Sequence, residues 1–312
     1  MSNGQQKSVK QQSLQQQSVQ QQSVCVFGEV LFDHLPNGQR VLGGAPFNVA
    51  WHLSAFGLAP EFISRIGNDA AGDEVRRAMR GWGMGLEGVQ ADQSLPTGRV
   101  QVDLDADGEP SYEIVDNCAY DAITTVPARR YTLLYHGTLA VRHPQSAAAL
   151  DALRQHGHGH VFVDVNLRTP HWHRDSVLRL LGCADWVKLN TQELHLLAGG
   201  QRDTQSNARR MLEAYDLRGV LVTSGSDGAQ LLLADGSVIK VAPRRVANVV
   251  DTIGAGDAFS AVMVAGLLLQ WPLQETMERC QRFAGSVVGR PGATVTDRQF
   301  YTHFLKDWDL RT

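Results

Sequence analysis

Only four cysteines occur in the 312 residues, Cys25, Cys118, Cys183 and Cys280, and none pairs with another as Cys-x-x-Cys. A disulfide framework and a cysteine-based zinc site are therefore not expected. The thiols read as free groups in a reducing cytoplasm. Long apolar runs are missing too. The longest, Ala258 to Leu269, falls short of the roughly eighteen residues a membrane span needs, and no membrane partner is expected. Charge of one sign is absent: 29 Lys and Arg stand against 32 Asp and Glu, and the basic residues are scattered. That pattern offers no footprint for nucleic acid.

Several catalytic signatures are also lacking. No Gly-rich loop is followed by Lys-Ser/Thr, so the Walker-type phosphate loop is excluded. No Gly-x-Gly-x-x-Gly follows the first strand, which argues against a dinucleotide-dependent dehydrogenase. Gly225-Ser226-Asp227-Gly228 is one residue short of a serine-hydrolase elbow. His156, His158 and His160, with His171 and His173, have metal-like spacing but no cysteine or carboxylate partner, and read as structural.

What remains is a β/α alternation. Residues 1–22 are nearly all Gln, Ser, Val and Lys and cannot bury enough surface to offset their ordering entropy, so a disordered leader is expected. Val24 to Phe27 reads as the first strand, with Glu29 and Asp33 at its C-terminal side and a turn at Pro36-Asn37-Gly38. Gly43-Gly44-Ala45-Pro46-Phe47-Asn48 leads to a helix expected over Val49 to Phe56. The glycines admit a ligand to the backbone, and Asn48 suits hydroxyls. From Thr97 the pattern becomes period-2, with Asp107-Gly108 between two runs: a β-hairpin, read as a lid, a dimerisation surface or both.

Downstream, Val161 to Asn166 reads as a strand. If it stays extended, Asp164, Asn166 and Arg168 share one side. Trp186 to Asn190 leads into a helix in which Asn190 and Glu193 have capping-box spacing. Gly219 to Thr223 ends in Ser224-Gly225-Ser226-Asp227-Gly228, a small polar surface on which a nucleotide can lie. The most specific stretch is Asp251-Thr252-Ile253-Gly254-Ala255-Gly256-Asp257, after the strand-like Val246 to Val250. Gly254, Ala255 and Gly256 can turn successive N–H groups toward one point at a helix start, an anion site with the positive dipole end behind it. Asp257 then stands in the first turn, either as a carboxylate facing the held anion or as a plain helix cap.

Gly43-Gly44-Ala45 with Asn48, Asn190-x-x-Glu193, Thr223-Ser224-Gly225 and Asp251 to Asp257, in this order, resemble the ribokinase (pfkB) family of carbohydrate kinases from about Val24 to Leu305. Gly28-Glu29, the Asp164 to Arg168 segment and Trp172 look most like bacterial fructokinases. Pro46 stands where ribokinases proper usually have Lys, which turns the expectation away from ribose. The resemblance implies an α/β Rossmann-like fold with a central, mostly parallel sheet, flanking helices and a small β lid, near residues 29–42 and 97–115 of a kinase domain spanning 23–312.

It also implies ATP and Mg²⁺ as partners of a small sugar. Asp257 would be the general base and the amides of Gly254, Ala255 and Gly256 the anion hole. Asp33, Gly43, Gly44 and Asn48 would hold sugar hydroxyls, and Arg168 would approach the phosphoryl group. Asn190, Glu193, Thr223, Gly225 and Gly228 would serve the nucleotide, with Glu193 meeting Mg²⁺ through water. Asp251 and the Ile253 carbonyl would hold a monovalent cation such as K⁺. Two other readings stay open. A nucleoside kinase on the same fold would use Phe32, Phe47 and Tyr112 around a base, and a sugar-binding regulator would lack catalysis.

Overall fold

The computed structural model describes residues 23–104, 110–127, 129–199, 203–243, 253–290 and 292–310. The expected leader, the hairpin tip with Asp107-Gly108, the strand-like Val246 to Val250, and Asp251 lie outside the described residues.

Seven parallel strands form most of the main sheet. In spatial order they are β11 (Gly219–Thr223), β10 (Trp186–Asn190), β9 (His160–Asp164), β8 (Leu133–His136), β1 (Val24–Phe27), β4 (Glu61–Gly67) and β5 (Val89–Asp92). The hairpin of β12 (Ala229–Leu233) and β13 (Val238–Val241) adds two antiparallel strands beyond β11. Both faces of the sheet are covered, so its strands are apolar runs rather than alternating ones.

Successive strand residues feed opposite layers. Val26, Tyr135, Phe162, Trp186 and Leu221 pack under α1 (Ala45–Ala55), α2 (Ala70–Trp82), α7 (Ala255–Leu268), α8 (Leu273–Val287) and α9 (Arg298–Asp307). Cys25, Leu134, Val163, Val187 and Val220 face the other way, toward α3 (Pro144–Gln155), α4 (Arg174–Leu181), α5 (Thr191–Ala198) and α6 (Thr204–Ala214). The Ala258 to Leu268 run, apolar but for Ser260, explains why α7 is buried along nearly its whole length.

A second sheet of four strands carries the lid: β3 (Arg40–Gly43), β2 (Leu31–His34), β6 (Gly98–Leu104) and β7 (Pro110–Ile114), in that order. The expected hairpin is β6 with β7, in register Val100↔Ile114 and Val102↔Tyr112. Its parallel partner is β2.

Two local expectations are corrected. Helix α1 begins at Ala45, with Pro46 in its first turn, so Asn48 lies inside the helix and is not part of the approach to it. Proline at a first turn costs no hydrogen bond, because that N–H has no helical acceptor. Strand β9 stops at Asp164, and Asn166 takes a left-handed conformation (φ 39°), so Asp164, Asn166 and Arg168 do not share a side by strand alternation.

Candidate active site

The lid and the C-terminal ends of the parallel strands enclose a cavity of about 430 Å³, within the usual range of small-molecule sites. Its walls bring together residues far apart in the chain: Asp33 and Gly44 from the lid side, Asn48 on α1, Arg168 after β9, and Ile253, Gly254, Gly256 and Asp257 at the start of α7. Gly43 sits just behind them. A Cβ there would lie 3.7 Å from Asp33 Oδ2 and 3.9 Å from Asn48 Oδ1.

Two glycines are required by the backbone. Gly44 has φ 110°, and a Cβ on it would come within 2.7 Å of the Glu29 carbonyl. Gly254, the N-cap of α7, is left-handed at φ 80°, and a Cβ would meet that of Ala293 at 2.4 Å. Gly254 is thereby pressed against Ala293 with no side chain of its own, leaving the helix start open to a ligand.

Asp257 occupies that first turn, and Asn48 Nδ2 donates to its Oδ2 at 2.7 Å. Burial pushes the Asp257 carboxyl up to about 6. The Asn48 bond, Lys188 and Arg168 oppose the rise, and Asp164 adds to it. A plain cap would accept from the amides of its own helix. The N-cap of this helix is Gly254, and Asp257 instead accepts a hydrogen bond from a side-chain amide on a different helix.

Glu29 also lines the cavity. It is 3% exposed, its Oε2 has no partner, and burial pushes it up to about 7 with a further contribution from Asp257. Asn48 Oδ1 is likewise buried without a partner. Buried acceptors left unmatched beside a cavity are ready for donors such as hydroxyl groups.

The residues expected to serve a nucleotide gather one strand further on. Asn190 and Thr223 are paired in register at the ends of β10 and β11, and Ser224 N donates to the Gly228 carbonyl at 2.8 Å. Gly225 and Gly228 both have positive φ. The capping box is present: Glu193 N donates to Asn190 Oδ1 at 2.9 Å, and Glu193 Oε2 accepts from Asn190 N at 2.8 Å. Its other oxygen accepts from Leu167 N at 2.7 Å. With each oxygen already holding an amide, the residue fits Mg²⁺ through a water shell rather than as a direct ligand. Of the two expected monovalent-cation ligands, only Ile253 is among the described residues.

Among the described residues, Asp116, Asp121 and His143 are the single group with metal-like proximity. Arg142 fills it, donating to Asp121 from both Nε and Nη2 at 2.8 Å. The two sequence clusters of histidines form no such group.

Lys188 was not anticipated from the sequence. It lines the cavity and is held at 2.9 and 2.8 Å by the two oxygens of Asp164. The aromatic wall expected for a nucleoside is corrected: Phe32 and Phe47 are 1% and 0% exposed, Phe47 packing at 5.7 Å on Phe62. Of the three, only Tyr112 reaches the cavity.

The chain is 32% identical over 261 residues to a fructokinase of Klebsiella pneumoniae, covering 78% of this chain and 84% of that one. It is 31% identical over 261 residues to an aminoimidazole riboside kinase of Salmonella typhimurium, covering 78% and 79%. Fructokinase from Vibrio cholerae, solved with fructose, ADP and calcium, superposes with a TM-score of 0.77 at 24% identity over 90% of this chain and 98% of that one. The profile described as "pfkB family carbohydrate kinase" matches residues 19–299. That match spans most of the chain, and the chain belongs to the pfkB family of carbohydrate kinases.

Proposed function

We propose that this protein transfers the γ-phosphoryl group of ATP to a hydroxyl of fructose or a closely related ketose. One observation carries the reading: the carboxylate of Asp257, tuned to about 6 and bonded to Asn48 at 2.7 Å, stands in the first turn of a helix whose start is open to an anion. At neutral pH that group is ionised yet more basic than an ordinary aspartate, as a base for a hydroxyl should be. It takes the hydroxyl proton as the sugar oxygen attacks phosphorus. The amides of Gly254, Ala255 and Gly256 hold charge on the transferred group, and Arg168, lining the same cavity, approaches it. Mg²⁺, when bound with the nucleotide, neutralises phosphate charge.

Asp33, Gly43, Gly44 and Asn48 hold the other hydroxyls, and Asn190, Glu193, Thr223, Gly225 and Gly228 line the nucleotide. Fructose is favoured by the names of the relatives and by the polar floor of the cavity. A riboside is the second reading, supported by Tyr112, 56% exposed at the cavity mouth. A regulator without catalysis would have no use for a titrating carboxylate at an anion site. The lid ends at β7, a sheet edge that suits pairing with a second copy, and sedimentation tests that pairing. K⁺ dependence of the rate tests the cation reading of Asp251 and Ile253. The deciding experiment is an ATP-consumption screen over fructose, tagatose, ribose, 2-keto-3-deoxygluconate and adenosine, with Asp257→Asn as control. Fructose should lead and the control should be nearly silent. Turnover of none of the five would overturn the reading.

A further inference from the structure

Three walls of the cavity meet behind it at one buried arginine. Ile114 ends the lid strand β7, Leu139 opens a short helical turn after β8, Arg168 follows β9, and all three line the cavity. Arg142 stands outside the lining, with a side chain 5% exposed, yet it touches each of their segments. It closes the turn Leu139–Val141, its backbone N–H donating to the Leu139 carbonyl at 3.1 Å. Nη2 donates to the carbonyl of Val115, the residue after β7, at 2.8 Å. On the other side Nη1 lies 3.0 Å from Nδ1 of His171, whose own backbone N–H donates to the Arg168 carbonyl at 2.7 Å. Arginine can only donate, so His171 accepts through Nδ1 and carries its proton on Nε2. Burial, followed by Arg142 itself, lowers the pKa of this ring from the usual histidine value, which keeps that lone pair free.

Charge pairing alone does not call for this arrangement. Asp121 accepts from Nε and Nη2 at 2.8 Å each, a bidentate pair that already answers the charge. As a stability device, such a buried pair gains little over apolar packing. What it adds is geometry. Asp121 is itself anchored, accepting from Cys118 N at 3.0 Å, and the Tyr120 hydroxyl accepts a further bond from Nη2 at 3.1 Å. With the plane of the guanidinium fixed in this way, one nitrogen is aimed at the exit of the lid and another at the loop of Arg168. A lysine ammonium, a compact point charge, has no such fork.

We propose that Arg142 is a positioning residue for the transfer: it ties the exit of the lid to the loop that carries Arg168, so that the lid wall and the cationic wall meet the sugar as one unit. This rests on the kinase reading above. Arg142 acts only through the two segments it holds. A lid that settled without bringing Arg168 into place would leave the reacting groups out of line, and small misplacements of that kind are costly in rate. The nucleotide side is held separately, since Glu193 accepts from Leu167 N at 2.7 Å whether or not Arg142 is present.

The test compares wild type, Arg142→Met, Arg142→Lys, His171→Ala and the double variant Arg142→Met/His171→Ala. Should Arg142→Met fail to fold because Asp121 is left unpaired, Arg142→Met/Asp121→Asn removes both charges together and takes its place. Loss of the tie should lower kcat by about ten- to a hundredfold. The KM for the sugar should rise by about tenfold while the KM for ATP moves by less than about threefold, a split that general loss of folded enzyme would not produce. Lysine should recover little. His171→Ala cuts one arm of the tie, so the double variant should be no slower than Arg142→Met alone. Losses that multiply, or a folded Arg142→Met with wild-type kcat and sugar KM, overturn the role of Arg142. As a readout independent of turnover, Arg142→Met should speed amide hydrogen exchange in residues 112–116 and in residues 166–172 together. A rise confined to one segment overturns the tie even if wild type phosphorylates no sugar, and that second failure belongs to the kinase reading alone.

Discussion

Desolvation acts on titratable groups in two regions of this molecule, with opposite consequences. Behind the site, between α1, α8 and α9, an aromatic cluster of Phe56, Phe283, Tyr301, Phe304 and Trp308 surrounds His52. His52 is 0% exposed, its Nδ1 is 2.9 Å from the Tyr301 hydroxyl, and burial pushes its pKa down to about 3. That ring is neutral across the working range and takes no part in chemistry. In the cavity, the same force lifts Asp257 and Glu29 to about 6 and 7. Burial drives every group toward its neutral form. For a histidine that leads away from physiological pH, and for a carboxylate it leads into it. A fold can therefore use one physical effect to silence a group in its core and to arm another at its site.

The comparison is broken most sharply by exchanging which group is removed. Asp257→Asn keeps shape and hydrogen bonding but deletes the base, and kcat should fall by about 10²–10⁴-fold. Sugar binding, read by calorimetry, should change little. His52→Phe should keep kcat close to wild type. Comparable losses from the two changes would mean that the aromatic cluster is not silent.

The next effect concerns the backbone that presents the base. Gly254→Ala places a side chain at φ 80° against Ala293, a left-handed position costing roughly 1–2 kcal/mol for alanine before the clash is counted. The α7 start must shift, and kcat should fall by about tenfold or more. Gly38, also at positive φ but with nothing within 4 Å of where a Cβ would stand, is the control. Gly38→Ala should cost some stability and leave kcat alone.

How much of this was legible in the sequence follows from which interactions are local. The helix start at Gly254, with Asp257 in its first turn, could be read because contiguous backbone groups make it, and no distant partner is needed. Asn190 and Glu193 were readable as a capping box for the same reason. Lys188 was not. It looks like any strand residue until β9 and β10 are set in register, and its partner Asp164 is 24 positions away. Phe32 and Phe47 misled because an aromatic beside a glycine-rich stretch fits a core as well as a pocket, and only the burial of both, with Phe47 packed on Phe62, decides between them. The shared side expected for Asp164, Asn166 and Arg168 failed at one residue, since the left-handed Asn166 is a backbone choice that alternation does not foresee. Asn166 and Arg168 reach the cavity through that bend, while Asp164 stays on the floor beneath it.

A milder probe is pH. As the proposed base, Asp257 works ionised, so its contribution is nearly complete about one pH unit above 6 and is lost as pH falls through that value. Under limiting sugar, kcat/KM should drop by about tenfold per pH unit below 6. Glu29, titrating near 7 in the same cavity, should bend the profile before the Asp257 limb is reached. Glu29→Gln should remove that upper bend and leave the lower limb in place. A profile flat down to pH 5 would contradict the burial of Asp257.

The smallest effect belongs to the aromatic cluster and appears in stability. The folded-state pKa of His52 is depressed from 6.5 to about 3, so below pH 6.5 the unfolded chain takes up a proton that the native ring refuses. Its contribution to stability is complete above the unfolded value and declines as the solution is acidified. At pH 5, about 1.5 units lower, that amounts to roughly 2 kcal/mol. Asp257 and Glu29, whose folded values are raised, bind protons more readily in the native state and push the other way over the same window. The wild-type pH dependence should consequently be shallow, two opposing slopes nearly cancelling. Urea unfolding at pH 7 and pH 5 separates them. His52→Phe should make the protein gain stability on acidification relative to wild type by about 2 kcal/mol, and Asp257→Asn should make it lose some. Equal shifts of the same sign in both variants would show that the two regions do not answer burial in opposite senses.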